Sequence, residues 1–186
     1  MHARALDATT WPDFAALVER NNGVWGGCWC MGFHPEGVGR HKTPAQNRSE
    51  KEQRVREGRA HAALAYDGET CLGWCQFGPP DELPRIKAKR AYLEGAPEPP
   101  DWRITCFFVD KASRRRGVAD AALAGALEEI ARLGGGTVES FPEDTDARTV
   151  SSSFLHNGTL ALFERHGFTR TRRLGKHRWL VHREVS

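Results

Sequence analysis

No stretch of the 186-residue chain is long and apolar enough to span a bilayer. Met1-His2-Ala3-Arg4 leads into no signal-like apolar region, so a cytoplasmic location and no membrane partner are expected. Cysteine is sparse and odd in number, at 5. A chain of this size can do without disulfide staples, and several of these thiols sit in strand-like runs where they pack as small apolar groups. Charge of one sign is also lacking: the net charge is only +3 and the arginines are widely spread, which speaks against a nucleic-acid partner. Internal repeats and low-complexity tracts are absent. What is present, 39% hydrophobic residues, suffices for one domain with a full core over 1–186.

Local signals give a mixed α/β reading. Thr10-Trp11-Pro12-Asp13 reads as a cap and early proline before the amphipathic Phe14, Leu17, Val18 face. The segment from Gly23 to Pro44 is Gly-rich and irregular, and a charged helix follows from about Pro44 to Gly58. Strands are expected at His61 to Tyr66 and Cys71 to Phe77, joined at Asp67-Gly68-Glu69. A basic helix is expected from about Leu83 to Leu93, then a Pro-rich linker from Gly95 to Pro100. Ile104 to Val109 and Thr137 to Phe141 read as strands, and Thr169 to Val185 as a hairpin turning near Leu174-Gly175-Lys176.

The most telling stretch is Arg114-Arg115-Arg116-Gly117-Val118-Ala119, lying between the apolar strand at 104–109 and a helical pattern from Val118 to Leu133. A helix's first turn leaves backbone N–H groups without partners and carries partial positive charge, so it attracts anions. Gly117 and Ala119 let a diphosphate approach that backbone, and the arginines add charge-assisted hydrogen bonds. A Walker A loop needs a Gly-Lys-Ser/Thr end and a dinucleotide fingerprint needs more glycines; neither is here.

Arg-x-x-Gly-x-Ala after an apolar strand resembles the acyl-CoA-binding motif of the GNAT superfamily of N-acyltransferases. Leu160 to Phe168 resembles that family's late helix and following strand, with Gly167 as a left-handed C-terminal residue. The resemblance covers roughly 103–185, and reaches about 60–80 through strand pattern alone. It implies a twisted, mixed but mostly antiparallel sheet flanked by helices, whose central strands splay apart to admit an acyl-pantetheine arm. It also implies acetyl-CoA as donor cosubstrate, held by the backbone of Phe108 and Val109, by Arg114, Arg115, Arg116, Gly117, Val118 and Ala119, and by His156 and Thr159. The expected activity is direct transfer of an acetyl group to a primary amine in a ternary complex.

Such transfer needs a neutral amine, a polarised carbonyl and a proton for the departing thiolate, with proximity supplying much of the rate. The resemblance places a base at Glu139 and a general acid where this chain has Phe163, which cannot donate a proton. Phe163 is then expected to pack beside the pantetheine. His156 is a candidate replacement because imidazole exchanges protons near neutral pH, and Cys106 is another, with inert packing as its alternative.

The acceptor, a small-molecule or peptide amine, is expected between the 23–44 segment and the Asp144 to Ser153 loop. Trp25 and Trp29 are candidates to clamp an apolar amine, or else form a local core; Asp144 and Asp146 are candidates to attract a cationic one. Cys28, Cys30, His34 and His41 are ligand types that zinc accepts, yet Cys-x-Cys is not zinc-finger spacing. The segment reads as an aromatic lip and no metal is expected. A homodimer, and a non-catalytic acyl-CoA sensor of the same fold, remain open.

Overall fold

Alternation of side chains along the strands organises the molecule. On His61–Asp67, Ala63 and Ala65 face one core, while Leu64 and Tyr66 face another. The computed structural model describes residues 1–39, 41–95, 98–146 and 149–186. In chain order it has β1 (His2–Ala5), α1 (Trp11–Arg20), α2 (Pro44–Arg56), β2 (His61–Asp67), β3 (Thr70–Gly78) and α3 (Lys89–Glu94). Then follow β4 (Trp102–Val109), α4 (Val118–Arg132), β5 (Gly136–Ser140), α5 (Leu160–Arg165), β6 (Thr169–Arg173) and β7 (Trp179–Val185). The sheet order is β1-β2-β3-β4-β5-β7-β6, antiparallel throughout except where β4 runs parallel to β5. No helix among the described residues is long and apolar enough to cross a membrane.

Helix α4 covers one face of β1–β4, burying Ala122, Leu123, Ala126 and Ile130 against Ala63, Cys75, Phe77 and Ile104. Each large aliphatic side chain so buried contributes about 1.5–3 kcal/mol. On the opposite face α1 presents Trp11, Phe14, Leu17 and Val18 to Trp74, Cys106 and Phe108. Helix α2 starts with a capping box in which Thr43 and Gln46 satisfy each other's backbone N–H groups. Its charged sequence hides one fully buried cation: Lys51 Nζ lies 2.8 Å from Gln76 Oε1 and 3.0 Å from His34 Nε2.

Two local expectations need correction. Only 89–94 of the expected 83–93 helix is helical, because Pro84 and the left-handed Ala88 (φ 56°) leave the stretch before it without a helical backbone. There the chain runs along the 23–44 segment, the Arg85 amide donating to Phe33 O at 3.2 Å. Thr10 is the N-cap of α1, but its hydroxyl donates to Ala5 O at 2.8 Å and caps no helical N–H. Ala96 and Pro97 of the expected linker, and Ala147 and Arg148 of the expected 144–153 loop, lie outside the described residues.

Candidate active site

The site begins where β4 and β5 part. Their pairing lasts three steps, Trp102↔Val138, Arg103↔Glu139 and Ile104↔Ser140, after which β4 leaves β5 and continues paired only with β3. The 155–158 segment fills the base of that wedge. Asn157 Nδ2 donates to Thr105 O at 2.7 Å, and the Phe107 amide donates to His156 O at 2.6 Å. Asn157 Oδ1 in turn accepts from Arg178 Nη1 at 2.9 Å. Gly158 must be glycine here: its φ is +78° and a Cβ would meet the Phe163 ring at 2.9 Å and the Phe107 ring at 3.2 Å.

Beyond this plug lies a cavity of about 310 Å³ lined by Phe107, Phe108, Val109, Arg114, Arg115, Gly117, Val118, Ala119, Thr159 and Arg165, among others. Gly117 caps α4 in the left-handed conformation at φ +79°, and only the Met1 Cε, at 3.7 Å, approaches the space a Cβ would fill. The first turn of α4 thus meets an open cleft flanked by three arginines, a setting that suits phosphate. Thr159 caps α5, accepting from Leu162 N at 3.3 Å.

A second cavity, of about 420 Å³, adjoins the first at Trp25, which lines both. Trp25 is 43% exposed and stands edge-on to Phe108 and to His156, ring centroids 5.9 Å away in each case. Its other walls include Cys28, Cys30, Phe33, Arg85, Ile86, Lys87, Cys106 and His156. His156 Nδ1 lies 3.3 Å from the carbonyl of Ser153, while Nε2 is buried with no hydrogen-bond partner. A neutral imidazole facing a carbonyl through Nδ1 must carry its proton there, which leaves a lone pair on Nε2. Burial, then the charges of Lys87 and Arg178, hold the imidazole pKa below its ordinary value, favouring that neutral form.

The sequence model of the acetyltransferase (GNAT) family matches residues 27–168. The chain belongs to the GNAT acetyltransferase family. No curated protein matches it in sequence. Solved structures share the fold. Ribosomal-protein-alanine N-acetyltransferase from Brucella melitensis superposes with a TM-score of 0.56 at 16% identity, covering 100% of both chains. The histone acetyltransferase HPA2 and related acetyltransferase from Corynebacterium glutamicum gives 0.55 at 16% identity, over 100% of this chain and 98% of that one. The protein yncA from Salmonella typhimurium, solved with its cofactor acetyl-CoA, gives 0.54 at 14% identity, over 99% of this chain and 93% of that one.

Within this GNAT fold several expected site residues are placed elsewhere. Arg116 turns away from the cofactor cleft to pair with Asp67 at 3.0 Å. His156 lines the second cavity and not the first. Phe163 is fully buried, edge-on to Phe107 at 5.8 Å and to Phe168 at 4.9 Å, so Phe107 and Leu162 meet the cleft in its place. Trp29 belongs to the core beside α1, stacked on Trp11 at 6.0 Å with the Arg48 guanidinium 5.5 Å over its ring. Asp144 receives Trp179 Nε1 at 3.3 Å, and neither it nor Asp146 lines either cavity.

Glu139 is also drawn off the cleft. It is 3% exposed, with Arg103 Nε donating to Oε1 at 2.6 Å and the Tyr92 hydroxyl to Oε2 at 3.1 Å. Burial raises its pKa despite the Arg103 charge. Both oxygens serve an internal ion pair at the closed end of the β4–β5 wedge. Of the proposed zinc ligand types, His34 is buried against Lys51 and His41 is exposed. Among the described residues no group of three or more His, Cys, Asp or Glu side chains stands together as a metal site. Cys30 and Cys106 are buried in the second cavity's wall, and the Cys30 hydrogen bond, with burial after it, pushes the Cys106 thiol well up.

Proposed function

We propose that the protein transfers an acyl group, acetyl in the simplest case, from acyl-CoA to a primary amine, the two substrates meeting at Trp25. His156, whose Nε2 has no partner, lines a cavity that adjoins at Trp25 the cleft at the first turn of α4, and this arrangement carries the reading. Arg114, Arg115, Arg165 and the first-turn amides of α4 would hold the cofactor's diphosphate, and the exposed edge of β4 at Phe108 and Val109 its pantetheine. Bound there, the cofactor supplies an acyl carbon activated as a thioester.

The protein's own groups do the rest. The two cavities fix donor and acceptor side by side, so positioning lowers the barrier without a strong acid. A small turn of the His156 ring, bringing the now-buried Nε2 to the cavity, lets it take the amine proton directly or through one water. Neither tyrosine serves as acid: Tyr66 donates to Asp13 at 2.9 Å and Tyr92 to Glu139. The departing thiolate is a good leaving group and recovers its proton from the imidazolium or from water. Free-CoA release across a panel of primary amines tests the reading. Acceptor-dependent release supports it, and tight acyl-CoA binding with no release for any amine points to a sensor.

A further inference from the structure

The acceptor cavity has a charge that the sequence did not foretell. Two cations, Arg85 and Lys87, line it, and among the described residues no Asp or Glu does. Arg85 Nε donates to Pro35 O at 3.0 Å, and Arg85 makes no ion pair among the described residues. Lys87 makes no ion pair among the described residues. Glu143, a carboxylate whose charge acts on Lys87, is bound to Arg178 at 3.1 Å. Burial is the main force holding the Lys87 pKa below its usual value, and Arg178 adds repulsion. Both side chains are exposed where they line the cavity, which leaves their charges available to a bound carboxylate through charge-assisted hydrogen bonds. Beside Ser153 and His156, the other walls are largely apolar or aromatic, with Trp25, Phe33, Val38 and Ile86 the largest side chains.

From this lining we propose that the acceptor is a small amine that also bears a carboxylate and an apolar side chain, an apolar amino acid being the simplest example. Its carboxylate meets Lys87 and Arg85, its side chain lies against Trp25 and Phe33, and its amine approaches His156. The assignment rests on the acyl-transfer reading. In the step itself the amine nitrogen bonds to the acyl carbon and the carbon–sulfur bond breaks. The electron pair leaves on sulfur, and the nitrogen's proton passes to His156 Nε2. A cationic wall has a second effect: it disfavours the ammonium form, so more of the acceptor is in the nucleophilic state.

The experiment compares matched acceptors, L-phenylalanine, L-methionine and L-leucine against their amides, with acetyl-CoA saturating and CoA release read as kcat/KM. Charge-assisted hydrogen bonds to one carboxylate predict a preference of about 10- to 100-fold for the acids. Lys87→Met should shrink the acid-to-amide ratio, and Lys87→Glu should invert it, a gain that a misfolded variant cannot produce. Amides acylated as well as or better than the acids by the unmodified protein would overturn the assignment while leaving acyl transfer intact. No acylation of any amine, in these series or among neutral and cationic ones, would overturn both.

Discussion

His156 and Phe107 are tied through the backbone, the Phe107 amide donating to the His156 carbonyl at 2.6 Å. That bond ties the imidazole-bearing segment to the strand whose next residues, Phe108 and Val109, line the first cavity. In the proposed reaction it would hold the proton acceptor in register with the edge that binds the cofactor. This coupling gives each side of the site its own testable consequence.

On the acceptor side, His156→Gln should lower kcat by about 10²–10⁴-fold, the usual loss on removing a general base. Acyl-CoA affinity should change little, because His156 lines only the acceptor cavity. Since burial and Lys87 hold its pKa down, the acidic limb of the rate profile should fall below the ordinary imidazole value and vanish in the variant. Full turnover with an unchanged acidic limb would remove His156 from the chemistry.

Glu139 gives the contrasting case. Glu139→Ala leaves the buried Arg103 charge without its carboxylate, and breaking such a pair typically costs about 3–5 kcal/mol of stability. Turnover per folded molecule should stay within a few-fold of the parent. Urea unfolding with active-site titration separates the two quantities. A stable variant with turnover reduced a thousandfold would restore Glu139 as the base.

On the cofactor side, Gly117→Glu brings a negative charge to the first turn of α4, and acyl-CoA affinity should fall by about 10-fold or more. Gly117→Asn is the control, because asparagine tolerates the left-handed backbone that φ +79° requires. Calorimetry showing equal affinities for the folded Glu and Asn variants would dissociate this turn from the diphosphate.

Stability should respond to pH through His34. Burial first, then the charges of Lys51 and Arg54, pushes its pKa down to about 2. An unfolded imidazole titrates near about 6.5. Between those values the unfolded chain binds more protons, so stability is full above the unfolded value and is lost as pH falls through the window. Urea midpoints at pH 7 and pH 5 should differ more for the parent than for His34→Gln. Equal differences would contradict this contribution.

Much of this fold was legible because its signals are local. The apolar strand, the Arg114–Ala119 turn and the 3.6-residue pattern of α4 each follow from neighbours in sequence. Gly167, at φ +76°, ends α5 as its position suggests. What was not legible depends on tertiary placement. Glu139 alternates correctly for a strand residue, but only the fold shows Arg103 directly opposite it. Asn157 went unnoticed although an asparagine beside a candidate histidine, before a glycine, was a visible cue. Its value lies in reaching Thr105 across 52 positions of chain. Arg85 and Lys87 fall in the stretch expected to be a basic helix, and the proline-broken backbone instead lays them along the second cavity.

The most direct test of the central claim is a single turnover with enzyme in excess over acetyl-CoA, in the presence of L-phenylalanine or whichever amine the screen favours. Free CoA and N-acetylated amine are quantified together by mass spectrometry. Direct transfer between the two cavities predicts that both appear at one rate, in equal amounts, and only when the amine is present. CoA released without matching N-acetyl product, or no release despite saturating acetyl-CoA across every amine tried, would contradict it.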